Sequence, residues 1–115
     1  MKKQYCGVVQ RGERRGTVLG FPTANIAYLD DFISGIYAAR VRLKKDEASY
    51  MAAVYADQKR KLLEAHLLDF NDELYGCEID IVLLKKIRDA AVFGDDIALR
   101  AVIKDDIARV REYFG

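Results

Sequence analysis

Ten residues, Gly16-Thr17-Val18-Leu19-Gly20-Phe21-Pro22-Thr23-Ala24-Asn25, concentrate most of the chemistry that this sequence offers. Two glycines let backbone N–H groups approach an anion without a Cβ in the way. Pro22 is the chain's single proline. It fixes its own φ and biases Phe21 towards an extended conformation. Thr23 and Asn25 are two apart, so on an extended chain they point to the same side. A hydroxyl and an amide carbonyl are hard oxygen ligands suited to Mg²⁺. Read locally, the same residues are also a turn that leads into a strand.

Other chemistry is excluded by composition. The 115 residues make one domain, 1–115, large enough to bury a core. Nineteen basic and eighteen acidic residues nearly cancel, so no strong field recruits nucleic acid or an anionic membrane. No apolar run approaches the ~18 residues of a membrane span, and no h-region follows Met1-Lys2-Lys3 to make a signal peptide. Cys6 and Cys77 form no C-x-x-C and read as buried small hydrophobes in a reducing cytoplasm. One histidine, His66, leaves too few ligands for a His/Cys zinc site. Gly7, Gly12, Gly16 and Gly20 recur, but none precedes Lys-Ser or Lys-Thr, so the Walker A test fails. No G-x-G-x-x-G opens a helix either.

The elements that must position these residues follow from alternation. Strands are expected at Tyr5–Val9, Ile26–Leu29, Gly35–Leu43, Tyr50–Tyr55, Leu62–Leu68 and Cys77–Lys86. Tyr37, Ala39, Val41 and Leu43 form one apolar face, opposite Arg40 and Arg42. Leu63, Ala65 and Leu67 form another, opposite Glu64 and His66. Cys77, Ile79, Ile81 and Leu83 face the core, which leaves Glu78 and Asp80 towards water. Ala56–Lys61 is expected as a polar turn and Ile87–Gly94 as a connecting loop. Asp95 is placed to cap a C-terminal helix with a stripe of Ile103, Ile107, Val110 and Phe114. Hairpin-length loops imply antiparallel pairing. The expected fold class is therefore mainly β: a small six-stranded antiparallel barrel, whose closure removes exposed edges, with a C-terminal α-helix packed on it.

The chain resembles the riboflavin kinase (flavokinase) family. The resemblance rests on Gly7-Val8-Val9 and its glycine loop, Leu19–Ile26, Gly35-Ile36-Tyr37-Ala38, Leu63–Phe70, Leu74-Tyr75-Gly76, Ile87-Arg88 with Phe93, and Leu99–Asp106. It implies a six-stranded barrel with a C-terminal helix, and an enzyme that transfers the ATP γ-phosphoryl to the 5′-hydroxyl of riboflavin, giving FMN and ADP. By motif it implies that Thr23 and Asn25 contact Mg²⁺ and phosphate, and that Glu64 is the catalytic base. The loop carrying Gly12, Gly16, Gly20 and Pro22 would be the flap over the nucleotide, and Arg88–Phe93 the loop over the flavin. In bacteria this domain usually forms the C-terminal half of a bifunctional FAD synthetase, which implies an adenylyltransferase domain or partner supplied elsewhere. Without the resemblance, Glu64 reads as a solvated strand carboxylate, Arg88 as a surface or ion-pair residue, and His66 as structural.

Two places depart from the family pattern. Its usual Asn-Ile-Gly-x-x-Pro-Thr segment is replaced by Val54-Tyr55-Ala56-Asp57-Gln58-Lys59-Arg60-Lys61, with a shorter loop. Phe32-Ile33-Ser34 stands where a proline usually precedes the Gly-x-Tyr strand. Three functions are consistent with these residues: a riboflavin kinase, a non-catalytic flavin- or nucleotide-binding relative with a regulatory role, and a flavoprotein that retains FMN.

Overall fold

The computed structural model describes residues 3–11 and 19–115. The expectations placed on Gly12 and Gly16 lie outside the described residues. Six strands and one helix follow in chain order: β1 (Lys3–Val8), β2 (Ala24–Ala27), β3 (Gly35–Leu43), β4 (Ser49–Asp57), β5 (Leu62–Leu67), β6 (Glu78–Arg88) and α1 (Asp96–Phe114). All pairings are antiparallel, in the order β1-β6-β3-β4-β5-β2. Past β1 the chain nearly closes the barrel: the Gln10 N–H donates to the Asn25 carbonyl at 2.8 Å, bridging to β2.

Strand alternation decides the inside. Ala39, Val41, Leu43, Val54, Leu63, Ala65, Ile79 and Ile81 point into the barrel and are essentially buried. Removing each large aliphatic side chain from water contributes about 1.5–3 kcal/mol, which holds every strand in register. A second, smaller cluster lies outside the barrel under α1, where Ala38, Leu68 and Val110 meet Ile107 and Phe114. Ala38 and Ala53 are small outward residues, and that lets the helix approach the sheet. Asp95 caps α1: its backbone is extended and its carboxylate accepts from the Ala98 N–H at 2.8 Å.

Several boundaries differ from the sequence reading. β6 runs on through Ile87 and Arg88, because Arg88 pairs with Ile36 of β3. β4 runs on through Ala56 and Asp57, which pair with Leu63 and Leu62. The turn is thereby confined to Gln58–Lys61. Asp80 does not face water. It is 2 % exposed and receives two N–H bonds from Arg42 of β3, at 2.6 and 3.2 Å. Cys6 stands opposite Asp80 on β1. Hydrogen bonds from the Cys6 thiol and then from Arg42 hold the Asp80 carboxyl below its usual range. Neither cysteine is buried: Cys6 is exposed and Cys77 half-buried.

The β2–β3 connection is tied to β1 through Asp30. Its carboxylate accepts from the Tyr5 hydroxyl at 2.7 Å, the Lys3 ammonium at 2.9 Å and the Phe32 N–H at 2.7 Å. Those bonds, the Tyr5 hydroxyl first, lower the Asp30 pKa from 3.8 to about 2. A carboxyl with a depressed folded pKa contributes stability above its unfolded pKa and loses it as pH falls through the folded value. This clamp is therefore expected to weaken between pH 3.8 and about 2. In Tyr5→Phe, an NMR titration should find the Asp30 pKa moved up towards 3.8. An unmoved value would show that the hydroxyl is not its main cause.

Candidate active site

One row of residues crosses five strands. Asn25 of β2 is paired with Glu64 of β5, Glu64 with Tyr55 of β4, Tyr55 with Ile36 of β3, and Ile36 with Arg88 of β6. Directly opposed residues in antiparallel strands share a face, with Cβ atoms about 4.5–5.5 Å apart. The core residues on either side point inward, so this row points out of the barrel. The row carries the sequence-expected residues Asn25, Glu64 and Arg88: Asn25 and Glu64 are direct neighbours, and Arg88 stands three strands beyond Glu64. Thr23 joins them from just before β2: its hydroxyl donates to Asn25 Oδ1 at 2.9 Å.

Two clefts open on either side of this point. The first, about 520 Å³, is lined by Gln10, Arg11, Thr23, Asn25, Phe70 and Tyr75 among others. Asp72 and Glu73 also line it, and the Arg11 guanidinium lies 4.7 Å from the Tyr75 ring centroid. The second, about 350 Å³, has an apolar wall that includes Phe21, Ile36, Phe93, Leu99 and Ile107. Its polar groups include Thr23, Tyr55, Asp57, Glu64, His66 and Arg88. Thr23 lines both clefts. Pro22 lines the first. Gly20 lines neither, but its φ of +94° makes the turn that brings Phe21 and Pro22 onto the barrel.

Thr23 and Asn25 suit a small hard cation. Two neighbouring ligands of an octahedral ion bound at about 2.0–2.1 Å stand ~2.9 Å apart. The two side-chain oxygens are 2.9 Å apart through the hydrogen bond from the Thr23 hydroxyl, whose hydrogen would turn away for both oxygens to face one ion. Among the described residues no group of three or more His, Cys, Asp or Glu gathers to hold a metal by itself. A cation held here would need further oxygens from a ligand, as Mg²⁺ commonly does with phosphates.

The apolar cleft is closed by a buried ion pair that sequence reasoning missed. Arg88 donates Nε and Nη2 to the two carboxylate oxygens of Asp106, both at 2.8 Å. The Arg88 side chain is 21 % exposed and that of Asp106 4 %. Asp106 is one residue from the Ile107 stripe and turns its carboxylate under the helix. Phe93 lies over the guanidinium, with its ring centroid 5.5 Å away. Gly35 allows the close approach: its φ is +93°, and a Cβ there would sit 2.4 Å from the Arg88 carbonyl oxygen. Arg88 thus fixes the end of β6, the Phe93 loop and the helix to one another.

The altered segment also has a definite form. Asp57 is 7 % exposed, and its Oδ1 accepts from the N–H groups of Lys59 and Arg60 at 3.0 and 3.3 Å. This is how a turn without glycine or proline closes: the carboxylate replaces the missing backbone acceptor. Lys61 takes the left-handed position, with φ of 55°. Tyr55 occupies the row beside Glu64, and its phenol is raised above its usual range by burial, then by Asp57 and Glu64.

Truncating one partner of a largely buried pair leaves an uncompensated charge. Asp106→Ala is therefore expected to cost about 3 kcal/mol in urea unfolding, and Arg88→Met with Asp106→Leu to recover most of that. A loss below about 1 kcal/mol in the single variant would show that the pair does not hold the helix.

The model of the riboflavin kinase family, Flavokinase, matches residues 2–114. The bifunctional riboflavin kinase/FMN adenylyltransferase of Buchnera aphidicola from Acyrthosiphon pisum is 33 % identical over 118 residues, covering 95 % of this chain and 38 % of that protein. The bifunctional enzyme of Escherichia coli K12 is 35 % identical over 116 residues, covering 95 % and 37 %. The chain thus spans little more than a third of these relatives. Riboflavin kinase from Trypanosoma brucei superposes with a TM-score of 0.68 at 26 % identity, covering 97 % of this chain and 79 % of that one. A Streptococcus pneumoniae chain described as a macrolide-efflux protein superposes with a TM-score of 0.79 at 27 % identity, covering 94 % and 38 %. Among the described residues no helix is long and apolar enough to cross a membrane. With a family match over nearly its whole length and a riboflavin kinase sharing its barrel, this chain belongs to the riboflavin kinase family.

Proposed function

We propose that this chain transfers the γ-phosphoryl group of ATP to the 5′-hydroxyl of riboflavin, releasing FMN and ADP. The observation that carries the reading is the position of Thr23, which lines both clefts beside Asn25 and Glu64. Two substrates lying in separate clefts need one shared wall where they react, and the polar groups stand at that wall.

In this reading the polar cleft takes ATP. Gln10 and Tyr75 line the nucleotide, and the triphosphate runs towards Thr23 and Asn25. The apolar cleft takes the flavin ring, with Phe21, Ile36 and Phe93 against its faces. The ribityl chain then points its terminal hydroxyl towards Glu64. Thr23 and Asn25 would hold Mg²⁺ through their side-chain oxygens, and the ion, when bound, offsets charge on the β- and γ-phosphates. Glu64 accepts the proton of the 5′-hydroxyl as the new O–P bond forms and the β–γ bridging bond breaks, with ADP leaving. Such base catalysis typically contributes ~10²–10⁴-fold. Glu64 lies on a strand paired on both sides, so its carboxylate is aimed by the sheet rather than by a loop. A cytoplasmic location, and an adenylyltransferase domain or partner that consumes FMN, belong to the same reading; the relatives above carry both activities.

One feature favours a second reading, a flavin- or nucleotide-binding relative without turnover. The turn at Gln58–Lys61 is short, and Lys59 and Arg60 line the apolar cleft. Incubation with riboflavin, ATP and Mg²⁺ distinguishes the two, with FMN followed by chromatography. The kinase reading expects FMN. Binding of both substrates without FMN would replace it with the second reading. Glu64→Gln is expected to lower kcat by at least ~10²-fold with a smaller effect on riboflavin binding. Near-normal turnover in that variant would remove Glu64 as the base. Asn25→Ala is expected to weaken Mg²⁺-dependent ADP binding, and an unchanged Mg²⁺ titration would remove Asn25 from the metal site.

A further inference from the structure

The β2–β5 ladder stops at Ala24, paired with Ala65. One further step would set Thr23 opposite His66. The preceding residue is Pro22, which has no N–H to offer a ladder. In place of a backbone bond, the Pro22 carbonyl lies 2.8 Å from Nδ1 of His66. A carbonyl only accepts, so Nδ1 carries the proton and donates. The Phe21 ring packs edge-on against the same imidazole, centroids 5.7 Å apart at 87°. One side chain therefore holds both residues that lead into Thr23. It does so from the strand that carries Glu64, two residues away on the same outward face.

We infer that His66 is a positioning residue for phosphoryl transfer: its Nδ1–H holds the Pro22 carbonyl and so sets where the Thr23 hydroxyl stands relative to Glu64. The inference rests on the kinase reading above. In this role His66 acts on no reacting atom itself. It acts through the backbone of Pro22, joining the segment that supplies Thr23 and Asn25 to the strand that supplies Glu64. Proline makes this connection necessary, since it stiffens the segment and also removes the N–H by which the sheet could have held it. Phosphoryl transfer depends mainly on alignment, and a displacement of ~1 Å in such a site can cost 10²-fold.

The tests are His66→Leu, which removes the donor but keeps an apolar body against Phe21, and His66→Asn, whose amide N–H₂ can occupy the place of Nδ1. Because His66 lines the cleft assigned to the flavin, far-UV circular dichroism rather than riboflavin binding gives the folded fraction of each. His66→Leu is expected to lower kcat per folded site by ~10–100-fold and to raise the Mg²⁺ concentration for half-maximal rate, with riboflavin KM within about twofold. His66→Asn is expected to return kcat to within about threefold of the wild type. A merely structural histidine would change melting temperature and the number of folded sites, but not kcat per site. Wild-type kcat in His66→Leu would overturn the inference, as would His66→Asn no better than His66→Leu when both melt like the wild type. Imidazole ¹⁵N NMR of the wild-type chain gives a readout independent of turnover, and the Nδ1–H tautomer is expected. An Nε2–H tautomer in an active wild-type chain overturns the clamp alone. Absence of FMN from the wild type overturns the kinase reading and the role of His66 with it.

Discussion

The register of β5 between β2 and β4 is the constraint on which the site depends. A slip of one residue would turn Glu64 into the barrel and Leu63, Ala65 and Leu67 into solvent. Leu63 and Ala65 are fully buried, so the slip would expose apolar surface and bury a carboxylate at once. Hydrophobic packing inside the barrel thereby fixes the polar groups outside it. Because β2, β4, β3 and β6 are held in the same way, the row from Asn25 to Arg88 is as rigid as the core beneath it.

The helix solves a different problem. The outward face of the sheet carries Ala38, Ala53 and Ile87 as well as polar groups, and α1 covers that apolar part. Covering it brings Asp106 under the helix, where a lone carboxylate would be costly. Arg88 meets it with two parallel hydrogen bonds, the arrangement in which a guanidinium binds a carboxylate best. The pair fastens the helix at the edge of the apolar cleft, so the wall of the cleft and the anchoring of the helix are one structure. At the other end of β6, away from both clefts, Arg42 meets the buried Asp80 differently, with two N–H groups on the one oxygen Oδ2.

Much of this was legible in the sequence, and the rest was not for identifiable reasons. Period-two alternation reports which side of a strand is apolar, so the inward faces of β3, β5 and β6 could be read directly. It does not report what lies over the other side. Asp80 therefore read as solvated, although Arg42, 38 residues away, covers it. Strand ends were misplaced for a related reason: Arg88 and Asp57 are polar, and only their partners Ile36 and Leu62 keep them in the sheet. At the site, the oxygen chemistry and spacing of Thr23 and Asn25 suggest a cation pair, but the same residues read equally as a turn, and only the family resemblance raises them above it. The role expected of Glu64 came through family resemblance, since a single strand carboxylate has no local signature. The ties from Arg88 to Asp106 and from His66 to Pro22 span 18 and 44 residues, and no window along the chain contains them.

The replaced segment at 54–61 looks, in sequence, like a threat to the whole site, because glycine, proline and threonine are all missing from it. The fold narrows its reach. Asp57 closes the turn with two backbone hydrogen bonds, so the segment has its own means of holding shape. Its side chains Asp57, Lys59 and Arg60 line the apolar cleft and not the polar one. Asn25 is placed by β2 and Glu64 by β5, and the segment before β2 that carries Thr23 is tied to β5 by the hydrogen bond from His66 to Pro22, none of which depends on glycine or proline in that turn. The part of the change at 58–61 therefore bears on what enters the apolar cleft and how tightly it is held, whereas Tyr55 stands in the row beside Glu64 itself. Asn25 and Glu64 take their places from the β2–β5 register, which the buried Ile26, Leu63 and Ala65 hold from inside the barrel.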